Sequence, residues 1–330
     1  MRIAVLGAGA WGTALALSFA ARHDVSLWVW DAAQLDEMRR ARENVRFLPG
    51  FPLPDAITLT GDLAAALAGA ELALVVVPTS ALRETLRNIA ACARTLPVVW
   101  ASKGFEAEDA RLPHQVADEE LAAAVPRGAL SGPSFALEVA RGLPTAVALA
   151  ATDNAFASEM ARRLHSPRLR IYSSDDLVGA EVGGAVKNVI AIAAGVADGL
   201  GFGHNARAAL ITRGLAEITR LGVQLGGRPE TFMGLAGAGD LILTCTGDLS
   251  RNRRVGLLLA ENRRLPDVLD TLGHVAEGVY TARAVRHLAR QHGIEMPITE
   301  AVCRLLFEGC GAVEVVEELL SREPKAEHAV

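Results

Sequence analysis

Arg2-Ile3-Ala4-Val5-Leu6-Gly7-Ala8-Gly9-Ala10-Trp11-Gly12 is the stretch that decides how this chain folds. Arg2 to Leu6 is a short apolar run with strand character. Gly7, Gly9 and Gly12 complete the pattern G-x-G-x-x-G, and Thr13 to Ala21 reads as a helix. Between a strand and a helix the pattern has a physical meaning. Gly7 permits the tight turn, Gly9 lets a pyrophosphate approach the backbone, and Gly12 lets the helix sit against the sheet. The N–H groups at the helix start have no partner within the helix and face the anion. Ala10 and Trp11 occupy the positions between the glycines and belong to the same cofactor-binding loop. The alternative is a glycine-rich turn that binds nothing.

Working outward, Val25 to Trp30, Leu72 to Val77, Pro97 to Trp100, Gly128 to Leu130 and Ala146 to Leu149 read as strands. Leu63 to Leu67 and Ala81 to Cys92 read as helices between them. Such alternation predicts a doubly wound, Rossmann-type α/β fold: a parallel sheet with helices on both faces. In that fold an acidic residue about 20 positions after the loop, at the end of the second strand, holds the adenosine ribose. Asp31, preceded by Trp30, stands there. No arginine adjoins it in sequence to receive a 2′-phosphate; Arg39 and Arg40 lie a helix away. NAD is therefore expected over NADP.

The pattern changes near the polar stretch Ser173 to Leu177. Beyond it, Val182 to Ala197, Ala206 to Leu221, Arg254 to Asn262, Val279 to His292 and Ile298 to Glu308 have helical spacing and almost no strand signal. Two domains are expected: a dinucleotide-binding domain at 1–177 and an all-α substrate domain at 178–330. The length of 330 residues agrees with two cores.

Composition narrows the function. A net charge of −5 and the lack of a Lys/Arg block argue against nucleic-acid binding. No uninterrupted apolar run is long enough to cross a membrane, and the leader-like run after Arg2 is broken by the loop glycines. Cys92, Cys245, Cys303 and Cys310 form no CxxC pair, so neither a metal site nor a disulfide framework is expected, and reduced thiols suit a cytoplasmic protein.

The helical half holds three sets of chemically pointed residues. Lys187 is the one cation for more than a turn either way in an apolar helix, with Gly183 and Gly184 a turn before it. It either snorkels to solvent or is kept for chemistry. Gly234-Leu235-Ala236-Gly237-Ala238-Gly239-Asp240 is dense enough in glycine to demand close backbone approach. Asp240 either orients a cation or caps the next helix. Ser250-Arg251-Asn252 opens a helix and can bind phosphate oxygens there, or is a solvated basic turn.

Together these segments resemble the bacterial NAD(P)-dependent glycerol-3-phosphate dehydrogenases. The resemblance runs through Gly7–Gly12, Arg42–Gly50, Ala101-Ser102-Lys103-Gly104, Ser131–Ala136, Gly184–Asn188, Gly237–Asp240, Thr244-Cys245, Ser250–Asn252 and Val275–Gly278. It implies a Rossmann domain joined to a helical domain like that of 6-phosphogluconate dehydrogenase. The implied reaction interconverts dihydroxyacetone phosphate and sn-glycerol 3-phosphate for phospholipid synthesis, in a cytoplasmic homodimer. By the resemblance Lys187 is the catalytic proton donor or acceptor. Lys103, Gly132, Ser134, Asp240, Ser250, Arg251 and Asn252 are substrate-site residues, and Trp11, Lys103, Ala136, Arg251, Val275 and Glu277 are cofactor contacts. One departure stands out: many bacterial members carry Arg or His at the position of Trp30, where the side chain contacts the NADPH phosphate. Trp30-Asp31 is more similar to the pair in NAD-using eukaryotic relatives. Two rivals remain: an enzyme of the same architecture acting on another small 2-hydroxy or phosphorylated substrate, and a nucleotide sensor without catalysis. The sensor has no need of Lys103, Lys187 and Asp240 together.

Overall fold

A computed structural model describes residues 1–272 and 276–323. The chain divides into two compact units, Met1–Lys103 with Pro113–Leu177, and Gly104–Leu112 with the chain from Val178 onward.

In the first unit the strands are β1 (Arg2–Leu6), β2 (Asp24–Trp28), β3 (Glu43–Asn44), β4 (Leu48–Pro52), β5 (Ile57–Thr60), β6 (Leu72–Val75), β7 (Val98–Trp100), β8 (Arg127–Ser131), β9 (Thr145–Ala150) and β10 (Leu169–Ser174). Eight of them form one sheet in the order β10-β9-β8-β7-β6-β1-β2-β5, and β3 pairs with β4 alone. The sheet is parallel except at β8 and β9, which run antiparallel. The central strands are apolar on both faces: Ile3 to Leu6 and Leu72 to Val75 are fully buried. A strand covered on both sides reads as an unbroken hydrophobic run, so these were legible. β5, Ile57-Thr58-Leu59-Thr60, is an edge strand with alternating burial and only two core side chains, which makes it hard to read.

α1 (Ala10–Ala20) follows β1, and α2 (Ala32–Ala41) follows β2. The chain leaves β1 for β2 and β5 on one side, then returns to lay β6 on the other. This reversal opens a crevice at the carboxyl ends of β1 and β6, the place where such sheets bind ligands.

The second unit is helical among the described residues. Its centre is the Leu177–Gly199 helix, long and apolar enough to cross a membrane, yet 89% of its most apolar window is buried inside the protein. It is a core helix. Val182, Ala185, Val186 and Ile190 pack there against Ile218, Phe232 and Leu241. The short segment Gly104–Leu112 joins this core through Phe105, Ala110 and Leu112.

Candidate active site

The glycine loop is built by close backbone packing beneath and open space above. Gly7 has φ +117, and a Cβ there would lie 2.6 Å from the Val76 carbonyl oxygen just past β6. A Cβ on Gly12 would fall 1.9 Å from the Gly7 carbonyl oxygen. Gly9 is the opposite case, with nothing within 4 Å of its Cβ position. α1 starts at Ala10 with no side chain capping it. Orphan N–H groups beside an open glycine fit a pyrophosphate. At the neighbouring strand end, the buried Thr79 hydroxyl has no hydrogen-bond partner among the described residues. The loop thus fits a dinucleotide.

The other expected cofactor contacts of this unit fall into two places. Trp11 and Ala136 pack on one small apolar cluster with Ala14, Leu48 and Val139. Trp30 is 83% exposed, past the end of β2. Asp31 caps α2, its Oδ1 accepting from the N–H groups of Ala33 and Gln34 at 2.8 and 3.2 Å. The sequence placed no arginine beside Asp31, but the structure does: Arg46 donates to Asp31 Oδ2 at 3.3 Å. Fifteen residues and a turn of backbone separate the two, so sequence adjacency could not show it.

Three expected substrate residues of the same unit converge. Lys103 Nζ donates to the Gly132 carbonyl at 3.2 Å, and the Ser134 hydroxyl donates to that oxygen at 2.9 Å. Gly132 has φ +139 and its Cβ position lies 3.0 Å from Val147 Cα, so a side chain there is barred by conformation and by space.

In the second unit Lys187 and Asp240 meet. Lys187 Nζ lies 2.7 Å from Asp240 Oδ1 and 2.8 Å from Thr244 Oγ1, with all three residues buried. The Thr244 hydroxyl accepts from the lysine and donates to the Asp240 backbone carbonyl at 2.6 Å. Asp240 begins its helix, Asp240–Thr246, and its carboxylate holds the lysine. The glycines bring this about. A Cβ on Gly183 would lie 2.5 Å from the Ala236 carbonyl oxygen, so only glycine lets the Leu235–Gly239 turn press against the lysine helix. Thr244 enters the sequence reading only within the resemblance and without a role, although its i+4 spacing from Asp240 puts both on one helix face.

Ser250 caps the Arg251–Ala260 helix, its hydroxyl oxygen accepting from the Arg253 N–H at 3.2 Å. Arg251 is exposed in the first turn and has no hydrogen bond or ion pair among the described residues. Arg253, two places on, is committed to Asp198 and Asp248. Asn252 is buried and braces three helices: its Nδ2 donates to Asn188 Oδ1 at 2.9 Å, and its Oδ1 accepts from the Gly278 N–H at 3.1 Å. Glu277 is half-buried at the start of the Glu277–Gln291 helix. Val275 lies outside the described residues. Burial pushes the Cys245 thiol up to about 12, so it stays protonated and acts as a small apolar side chain.

Comparisons with known proteins cover both units. The model of the NAD-dependent glycerol-3-phosphate dehydrogenase N-terminus matches residues 2–157, and that of its C-terminus matches 176–317. A glycerol-3-phosphate dehydrogenase (NAD(P)+) of Nitrosospira multiformis is 63% identical, over 99% of this chain and 99% of that one. The crystal structure of the glycerol-3-phosphate dehydrogenase of Coxiella burnetii is similar at 45% identity and a TM-score of 0.93, over 97% of this chain and 99% of that one. The solved structure of the glycerol-3-phosphate dehydrogenase of Saccharomyces cerevisiae is similar at 27% identity and a TM-score of 0.83, over 98% of this chain and 99% of that one.

Proposed function

We propose a specific chemistry for this chain, which belongs to the NAD-dependent glycerol-3-phosphate dehydrogenase family: it interconverts dihydroxyacetone phosphate and sn-glycerol 3-phosphate with NAD(H) or NADP(H), and so supplies glycerophospholipid synthesis. Gly7, Gly9, Ala10, Trp11, Gly12 and Ala136 would hold the dinucleotide, with Asp31 and Trp30 around its adenosine end. When bound, it gives or takes the hydride.

The observation that carries the reading is the Lys187 ammonium held on Asp240 and Thr244. As the substrate's C2 carbonyl is reduced, negative charge grows on its oxygen. An ammonium already fixed in a buried site meets that charge without reorganising, and donates the proton as general acid. In the oxidative direction the same nitrogen, as neutral amine, takes the hydroxyl proton. Asp240 Oδ1 keeps the lysine charged and aimed, and Thr244 fixes its second N–H direction. Arg251, at the positive end of its helix, binds the substrate phosphate, and Ser250 and Asn252 shape that helix start. Lys103, Gly132 and Ser134 are the proposed substrate contacts of the first unit. Binding energy from the phosphate positions the carbonyl. Four free cysteines agree with a cytoplasmic location. Exposed apolar side chains on the helical unit, Met233, Ile242 and Tyr280 among them, agree with a homodimer.

The test is oxidation of NADH and of NADPH, followed separately by absorbance, with purified protein and dihydroxyacetone phosphate. Turnover with either supports the reading. Cofactor binding without turnover, on a protein of normal stability, would leave a sensor or another substrate.

A further inference from the structure

Three side chains of different chemistry gather where the chain leaves β2. Trp30 projects into solvent, 83% exposed. Asp31 divides its carboxylate: Oδ1 caps α2, and Oδ2 takes the guanidinium of Arg46 at 3.3 Å. Arg46 comes from the turn between β3 and β4, and its guanidinium carbon lies 5.0 Å from the centre of the Phe47 ring. Both partners of the pair are open to solvent, with side-chain exposures of 55% and 36%. The arginines of α2 are committed elsewhere, Arg39 to the Leu59 carbonyl and Arg40 to the Asp36 carbonyl.

An acidic residue at this point of the fold accepts a hydrogen bond from the adenosine ribose and repels a 2′-phosphate. Here the carboxylate does not stand alone. Arg46 neutralises it, and a solvent-exposed ion pair is weak enough to open at little cost. A guanidinium offers a phosphate two parallel donors, and the Phe47 ring keeps the plane of the group from collapsing back onto the chain. We infer that Arg46 is a cofactor-specificity residue: it leaves Asp31 to receive the 2′-phosphate of NADP(H), and returns to Asp31 when the ribose is unphosphorylated. The pair would let one site accept both dinucleotides, in place of a basic residue at the position of Trp30. The inference rests on the reading that this unit holds a nicotinamide dinucleotide, and it deepens that reading.

The test is equilibrium binding of NADPH and of NADH to the full chain without substrate, by calorimetry, for wild type, Arg46→Ala and Arg46→Lys. The two ligands differ only in the 2′-phosphate. Arg46→Ala should raise the NADPH-to-NADH ratio of Kd values about tenfold or more, the scale of a lost charge-assisted phosphate contact, and Arg46→Lys should keep most of the discrimination. An unchanged ratio in Arg46→Ala, equal weakening of both ligands, or a wild type that binds NADH and not NADPH would each overturn it. Turnover is a separate readout. Absence of dihydroxyacetone phosphate reduction by a protein that binds both cofactors would sink the proposed reaction and leave the ratio readable.

Discussion

In the first unit the proposed anion site is made of backbone. Gly7 and Gly12 are packed against carbonyl groups, Gly9 faces open space, and the donors are the N–H groups of an uncapped helix. In the second unit the chemistry is made of side chains. A lysine, a carboxylate and a hydroxyl are drawn out of water and bonded to one another. The first arrangement needs no desolvated charge until a ligand brings one. The second holds desolvated charge at all times. Stability and function should therefore be separable in the glycine loop and coupled at Lys187.

The largest effect is expected there. Lys187→Met removes the proposed proton donor, and turnover should fall about 10³-fold, the usual range for loss of a general acid. It also strands Asp240, 2% exposed, without its cation, which should cost roughly 3–5 kcal/mol of stability. Adding Asp240→Asn should restore most of that stability and none of the turnover. Denaturant melts alongside absorbance assays read both. A Lys187→Met protein as stable as wild type would show that the pair is not coupled to the fold, and the contrast between the units would fail.

A second buried charge in the helical unit tests the same idea by pH. Glu217, 1% exposed, accepts from the N–H groups of Ile298 and Thr299 and from the Thr299 hydroxyl, and so caps the Pro297–Phe307 helix from a neighbouring helix. Burial pushes its carboxyl from 4.5 to about 7, and the three donated hydrogen bonds offset only part of the shift. The folded state therefore binds this proton more tightly than the unfolded chain does. The stabilisation is complete below about pH 4.5 and is lost as the pH rises through about 7, a change on the order of 3 kcal/mol. Unfolding free energies at a series of pH values should show this decline, and Glu217→Gln should flatten it. A decline of the same size in Glu217→Gln would assign it to other groups.

How much of this could be read beforehand follows from the same contrast. A site made of backbone is encoded by adjacent residues, so Gly7 to Gly12 announced the loop, the flanking strand and the helix in one stretch. A site made of side chains is encoded by packing. Lys187 and Asp240 stand 53 residues apart and Lys187 and Thr244 stand 57 apart, and packing that includes the close approach of Gly183 to Ala236 brings them together. The two glycine-rich segments signalled close approach without saying what approached what. Arg46 was hidden for the same reason, because the hairpin of β3 and β4 folds it back on Asp31. Asn252 illustrates the reverse: its position suggested a phosphate ligand, and the structure shows its amide also bracing the starts of two helices against Asn188.

Gly9→Ala tests separability in the first unit. Its φ of −75 suits any residue, and nothing lies within 4 Å of the added methyl. Stability should stay within about 1 kcal/mol of wild type, since the entropy that the unfolded chain loses with the glycine favours the fold and opposes the poorer cap. Dinucleotide binding should weaken about tenfold or more, because the methyl stands where the pyrophosphate must come close. Calorimetry with NADH and a thermal melt on the same sample decide it. A variant that loses stability in step with binding would show that the loop also supports the fold.

The smallest effects concern the two residues that serve both as helix caps and as candidate ligand contacts, one in each unit. Asp31→Ala removes an acceptor from the first turn of α2, and Ser250→Ala removes one from the Arg251–Ala260 helix. Each should cost about 1 to 2 kcal/mol, the usual worth of a cap. The sizes should differ in a direction that burial sets. Asp31 is partly exposed, so water can replace its carboxylate at the Ala33 and Gln34 N–H groups. Ser250 is 4% exposed, so its loss leaves the Arg253 N–H poorly satisfied, and the cost should approach about 2 kcal/mol. Asp31→Asn keeps the capping oxygen and should recover nearly all of the stability lost in Asp31→Ala. If it does not, the Asp31–Arg46 ion pair and not the cap steadies that corner, and the first unit, too, depends on side-chain charge.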